Sequence, residues 1–359
     1  MAEVDPTIKA LRDASSVEDV SRSLGTSAAG SRAKSTPVVA VCGSINQDTI
    51  ISVDNFVDSA EKVVVNQGVK RLGGKGANQA VASSLANAET CLLGTVGEDD
   101  AGDEILSQLR TAGVRVHAVR TSWEHPTGSA FVVSHRGGAP KVYVQRGANQ
   151  LTDPSDFVDE IARADVVLAQ GELLPEATEM IAALANVHGT RLVLNLAPVS
   201  VASPTLIDSA NPLVIKRHDV WELLRQLELT GGLHRADLAA QVEVLLQYCP
   251  ALVVTMAHDG CLFVESEIAG GDGIIWHQPA VLVGDENFVD ATGTGDAFSG
   301  TLAAGIAKGL SLDDAVCLAT AAASQAVRSL GATASYVPVE KLGQMLAETD
   351  FPKRRRYEG

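Results

Sequence analysis

From residue 90 onward the chain alternates short apolar runs with longer segments of helical period. CLLGTVG precedes DEILSQLRTAG, ADVVLAQGE precedes PEATEMIAALANVHG, and TRLVLNLAP is followed by NPLVIKRHD and VWELLRQLEL. HRADLAAQVEVLLQYCP then leads into ALVVTMAHDG. A strand covered on both faces reads as a continuous apolar run, and successive parallel strands need a crossover long enough to hold a helix. The alternation therefore predicts an α/β fold: a mostly parallel sheet layered with helices on both sides. A composition of 46% hydrophobic residues with only 4% aromatic agrees, since such layers are filled by Ala, Val and Leu.

A formal net charge of −16 argues against nucleic acid as a partner, because a phosphate backbone needs a basic face. No apolar run approaches membrane-spanning length, and the N-terminus lacks a basic-then-apolar signal, so a soluble cytoplasmic protein with no membrane partner is expected. Cys42, Cys91, Cys249, Cys261 and Cys317 are scattered, with no CxxC, and read as buried reduced thiols. Residues 1–36 are polar and Ser/Ala-rich and read as a mobile extension; residues 37–345 form the folded domain. Residues 346–359, with the basic run Lys353 to Arg356, read as a solvated tail.

Several apolar runs end in polar residues. Asn46 and Asp48 follow PVVAVCGSI, Glu172 follows VVLAQ, Asn195 ends LVLN, and His218 and Asp219 follow LVIK. The carboxyl edge of an open α/β sheet is where ligands sit, so these exits point to one crevice. Two half-exposed alternating segments, about 49–71 and 127–146, predict a small antiparallel sheet apart from the main one, the second folding back near Gly137-Gly138.

Two glycine turns open helices. Gly73-Gly74-Lys75-Gly76-Ala77-Asn78 is one; it lacks the GxxxxGK[ST] spacing of a P-loop. The other is DATGTGDAFSGTLAAGIAKGL, from Asp290 to Leu310. Backbone N–H groups at a helix mouth converge on one point and the helix dipole adds positive potential, which makes an anion site. Asp296 beside such a site repels phosphate, unless it removes a proton from an attacking alcohol. Gly293, Thr294 and Gly295 with Asp296 thus suggest phosphoryl transfer to a hydroxyl.

Taken together, GGKGANQA and DATGTGDAF, with GSINQD before them and VGEDDAG between, resemble the PfkB-type carbohydrate kinases over about residues 37–345; within that family GGKGANQA most resembles the ribokinases. The resemblance implies a ribokinase-like three-layer αβα sandwich with a small antiparallel β lid that closes over the sugar and forms a homodimer. It implies ATP-dependent phosphorylation of D-ribose to ribose 5-phosphate. Asn46, Asp48, Gly74, Lys75, Asn78 and Glu172 correspond to sugar contacts, Asp296 to the general base, and Gly293 to Gly295 to the anion hole. Asn195, Lys216 and the loop holding Thr255, Ala257, Asp259 and Gly260 correspond to the nucleotide side, where Gly295 also belongs. Asp290, Thr292, Gly331 and Ser335 correspond to a monovalent cation site, usually K+, and Asp219 to a water-mediated Mg2+ contact.

Two positions depart from the pattern. Lys216 and Asp219 stand where the family has Asn-x-x-Glu, so Lys216 either grips phosphate or displaces the metal. Ala257 stands where Gly is usual, and its Cβ would crowd the nucleotide. A kinase for another sugar or a nucleoside shares the same chemistry, the low aromatic content disfavouring a nucleoside. A non-catalytic sugar-binding regulatory protein is the alternative of a different class.

Overall fold

The computed structural model describes residues 36–53, 65, 68–135, 141–281, 287–348 and 351–357. The residue 1–35 extension and the turn at Gly137-Gly138 lie outside the described residues. In chain order the strands are β1 (Val38–Cys42), β2 (Asn46–Val53), β3 (Gly68–Gly73), β4 (Glu89–Leu93), β5 (Thr95–Gly97), β6 (Arg120–Ser122), β7 (Gly128–His135) and β8 (Lys141–Gln145). They continue as β9 (Val166–Gln170), β10 (Arg191–Asn195), β11 (Ala210–Lys216), β12 (Ala251–Thr255), β13 (Cys261–Glu265), β14 (Trp276–Gln278) and β15 (Arg355–Arg356). The helices are α1 (Lys75–Leu85), α2 (Asp100–Thr111), α3 (Val158–Arg163), α4 (Pro175–His188), α5 (Pro204–Ser209), α6 (Arg217–Gln226), α7 (Leu238–Leu245), α8 (Thr294–Ala307), α9 (Leu312–Ala326) and α10 (Val339–Glu348).

Among the described residues nine strands make the main sheet, in the order β15-β14-β13-β12-β11-β10-β9-β1-β4. The pairs from β4 to β12 are parallel, and β13, β14 and β15 add antiparallel strands at one edge. Side chains alternate along β1. Val39 and Val41 enter a core with Val81 of α1, Ile105 of α2, Leu302 of α8 and Val316 of α9. Ala40 and Cys42 enter the opposite core with Ile161 of α3, Ile181 of α4, Ile207 of α5, Leu223 of α6 and Val242 of α7. The predicted layering of helices on both faces of a mostly parallel sheet is therefore observed. All five cysteines are free and buried.

The second sheet has the order β3-β2-β7-β8. Its outer pairs are antiparallel, but β2 and β7 run parallel, because the chain between them passes through α1 and α2 before returning. All five residues of β8 are exposed. A short parallel pair, β5 with β6, lies apart from both sheets.

The C-terminus departs from the expected solvated tail. Arg355 and Arg356 pair with His277 and Trp276 to make β15, and the Tyr357 amide donates to the Ile275 carbonyl at 2.9 Å. Arg354 lies 4.2 Å from the centre of the Trp276 ring and 3.1 Å from a carboxylate oxygen of Asp313. A basic run stays solvated only when nothing offers it an aromatic face or a carboxylate; this edge offers both.

Candidate active site

α8 begins at Gly293, whose φ of 77° is a left-handed conformation that favours glycine. A Cβ there would also lie 2.7 Å from the Tyr336 hydroxyl, which donates to the Gly293 carbonyl at 2.8 Å. The amides of Gly293 and Gly295 have no hydrogen-bond partner among the described residues, whereas the Asp296 amide is spent on the Gly293 carbonyl at 3.0 Å. At Gly300 a Cβ would meet the Gln79 carbonyl at 2.4 Å, so glycine there lets α8 lie directly on α1. That close approach brings the first turns of the two helices together.

Asp296 is 5% exposed and is held by α1. Gln79 Nε2 donates to its Oδ1 at 2.9 Å, Asn78 Nδ2 donates to its Oδ2 at 3.1 Å, and Lys75 Nζ lies 3.6 Å from Oδ1. Asp296, then Glu172, hold the Lys75 pKa above its usual value against the opposing effect of burial. Gln79 also donates to Asn195 Oδ1 at 3.0 Å and accepts from Gln170 Nε2 at 2.9 Å, so a buried amide network fixes the carboxylate from below. No sequence pattern marks either glutamine, although Gln79 lies within GGKGANQA and Gln170 ends VVLAQ. Asn195 belongs to this supporting network and is not among the residues lining the cavity described below.

Asp48 lies on β2 opposite Arg71 of β3, and its carboxylate packs against the backbone of Gly73. Its Oδ1 is buried and has no hydrogen-bond partner among the described residues. Burial, then the charges of Glu172 and Asp296, push its pKa up to about 7. Asn46 Oδ1 accepts from Asn149 Nδ2 at 2.8 Å, and Asn149 Oδ1 accepts from the Ile45 amide at 2.8 Å. Asn149 is a further residue that sequence reading missed; no local pattern marks a contact spanning 103 positions. Glu172 accepts from the Ser44 hydroxyl and, at 3.1 Å, from the Lys75 amide, so one of its oxygens caps α1, whose own cap residue Gly74 has no side chain.

A cavity of about 950 Å³ opens beside the mouth of α8. Thr294 and Gly295 line it at one end, with Lys216, Thr255, Ala257, Asp259 and Gly260 around it. Asp219 sits in the first turn of α6 beside His218, 3.5 Å away. Ala257 adopts φ of 53°, so the departure from glycine read in the sequence is a backbone cost as well as an added Cβ. Relieving left-handed strain gains about 1–2 kcal/mol, and the extra freedom of glycine in the unfolded chain costs about 0.5–1 kcal/mol. Ala257→Gly is therefore expected to raise stability by about 0.5–1 kcal/mol, read by denaturant unfolding; a destabilised variant would show that the Cβ contributes packing.

Three of the four residues expected at a cation site are joined by hydrogen bonds. Asp290 Oδ1 accepts from the Thr292 amide at 2.9 Å and the Thr292 hydroxyl at 2.7 Å, while Oδ2 accepts from the Gly331 amide at 2.9 Å. Ser335 donates to the Ala332 carbonyl at 2.7 Å. The Asp290 carboxylate thus joins its own loop to that of Gly331, and the side-chain groups of Asp290, Thr292 and Ser335 are all oxygen donors, the type that suits a hard cation.

A family model described as pfkB family carbohydrate kinase matches residues 37–339. The ribokinase of Staphylococcus aureus is 30% identical over 315 residues, spanning 86% of this chain and 100% of the relative. That of Bacillus subtilis is 28% identical over 312 residues, spanning 86% and 99%. Among solved structures, Arabidopsis thaliana ribokinase complexed with ribose and ATP superposes with a TM-score of 0.76 at 24% identity, over 88% of this chain and 100% of that one. Thermotoga maritima ribokinase superposes with a TM-score of 0.77 at 24% identity, over 87% and 100%. A family match across most of the folded residues, together with a relative aligned along its entire length, has one meaning: this chain belongs to the pfkB family of carbohydrate kinases.

Proposed function

We propose that this protein is an ATP-dependent kinase of D-ribose, transferring the γ-phosphoryl group to the primary hydroxyl and releasing ADP and ribose 5-phosphate. One juxtaposition carries the reading. Asp296 directly follows Gly295, which lines a nucleotide-sized cavity, and is near enough to Asp48 for its charge to raise that carboxyl's pKa, while one buried Asp48 oxygen has no hydrogen-bond partner among the described residues. The likeness to ribokinases in sequence supports ribose as the acceptor.

In this reading Asp48 accepts hydrogen bonds from adjacent sugar hydroxyls, with Asn46, Gly74, Lys75, Asn78 and Glu172 around it. Asp296 accepts the proton of the attacking hydroxyl. The Gly293 and Gly295 amides, with Thr294 between, face the charge that develops on the moving phosphoryl group. Lys75 and the two amide side chains hold the carboxylate in place before substrate arrives. Asp219 would hold Mg2+ through water, and that ion would offset phosphate charge; Asp290, Thr292, Gly331 and Ser335 would hold K+ and stiffen the turn ahead of α8.

Residues 37–345 would be the kinase domain, with the sheet β3-β2-β7-β8 as its lid. Exposed Val69, Phe131, Val142, Tyr143 and Val144 on that sheet support its use as the contact in a homodimer. No helix among the described residues is long and apolar enough to cross a membrane, which is compatible with action in the cytoplasm.

A coupled ADP-release assay across pentoses, hexoses and nucleosides, with and without K+, tests the proposal. Ribose should give the highest kcat/KM, and K+ should raise it. Preference for a nucleoside would reassign the substrate, and ribose binding without turnover of any acceptor would favour a regulatory role.

A further inference from the structure

The cavity beside α8 holds a cation whose role the arrangement above does not use. Lys216 ends β11, paired in register with Thr255 at the end of β12, and lines the cavity together with Thr294 and Gly295. It is half-buried and makes no salt bridge among the described residues, whereas Lys75 is committed to Asp296 at 3.6 Å. Removing an ammonium from water without pairing it is unfavourable, so this placement is uphill until an anion arrives. Burial, then the charge of Lys75, hold its pKa below the usual lysine value, against the pull of Asp219, Asp296 and Glu172.

Its surroundings select the sign of the ligand. Arg217, His218, Arg235 and His258 also line the cavity, and Asp259 is the one carboxylate among the described residues that do. Asp259 is already paired, 3.7 Å from Arg217 and 3.4 Å from His258. In a chain of net charge −16, the described lining of this cavity thus carries five Lys, Arg or His side chains against one carboxylate.

We infer that Lys216 binds the terminal phosphate oxygens of the nucleotide as a fixed ammonium, so that the protein offsets phosphate charge that would otherwise fall to a divalent metal alone. The inference rests on the phosphoryl-transfer reading and deepens it. A lysine ammonium is a compact charge with three donors, able to bridge oxygens of neighbouring phosphates. Anchored at a strand end and adjacent to a helix mouth, it is positioned before the nucleotide enters. The consequence is nucleotide affinity that persists when Mg2+ is withdrawn.

Calorimetric titration of the full chain with ATP, in excess EDTA and in excess Mg2+, is the test, comparing wild type with Lys216→Met. Wild type is expected to bind ATP in EDTA, and the variant to bind it about tenfold or more weakly, the scale of a lost charge-assisted hydrogen bond. ADP affinity should fall less, Lys216→Arg should recover part of the loss, and ribose titration should confirm that each variant is folded. Equal ATP affinity of wild type and Lys216→Met in EDTA would overturn the inference. So would a wild type that binds ATP only with Mg2+, an outcome that needs no variant and leaves the kinase reading standing. If wild type binds ATP in neither condition, the kinase reading falls and this inference with it.

Discussion

Asp296→Asn is expected to lower turnover by about 10³-fold while sugar affinity changes little, because a positioned general base contributes roughly 10²–10⁴-fold. The substitution keeps the shape of the side chain and removes only its basicity and charge. Its steric and hydrogen-bonding cost is small for a specific reason. The new amide would face the donor groups of Gln79 and Asn78, but Asn78 Oδ1 is buried with no hydrogen-bond partner among the described residues, and a rotation of the Asn78 amide would present that oxygen instead. Lys75 would lose its ion pair and its pKa would fall toward the ordinary lysine value. The check is kcat by coupled ADP release together with ribose affinity by calorimetry. A variant retaining near wild-type kcat would remove Asp296 from the chemistry, and one that had lost ribose binding would make it a sugar contact.

Asp48→Asn is expected to raise the KM for ribose roughly 10²-fold or more, since two hydrogen bonds to a charged acceptor are worth about 1.5–3 kcal/mol each. Wild type should show the same dependence through pH. Asp48 titrates near 7, chiefly because it is buried and then because Glu172 and Asp296 repel its charge. Below that pH the free protein carries a neutral carboxyl, so ribose affinity should fall by about tenfold per pH unit on the acid side and level off on the alkaline side. Stability moves the other way. The folded chain binds this proton more tightly than the unfolded chain, so the contribution is fully present below about pH 4 and is lost as pH rises through about 7. Asp48→Asn should flatten both dependences. A ribose affinity independent of pH in wild type would mean that Asp48 does not receive the sugar as a carboxylate.

The sequence patterns were informative where a physical signal is local. Apolar runs alternating with helical segments are local, and they announced the parallel sheet and its two helical layers. Glycine turns before helices are local as well, and they marked Gly74 and Gly293 as helix mouths. The basic run near the C-terminus was misleading for the same reason, since its charge is visible in the sequence while Trp276 and Asp313, which receive Arg354, are distant along the chain. The parallel pairing of β2 with β7 was likewise missed, because strand direction depends on the path of α1 and α2 between them.

The sequence by itself determined the layered architecture, the family and the residue types at the two turns, because these follow from periodicity and from conformations that only certain residues adopt. Only the tertiary structure decided which polar groups surround Asp296, that Asn195 and Gln79 brace it from beneath, that Asn149 holds Asn46, and that, among the described residues, one buried oxygen of Asp48 has no hydrogen-bond partner and half-buried Lys216 has no salt bridge. Those features come from strand ends and helix mouths meeting across long stretches of chain, where packing distance and burial set hydrogen bonding and charge, and neither quantity exists until the chain has folded.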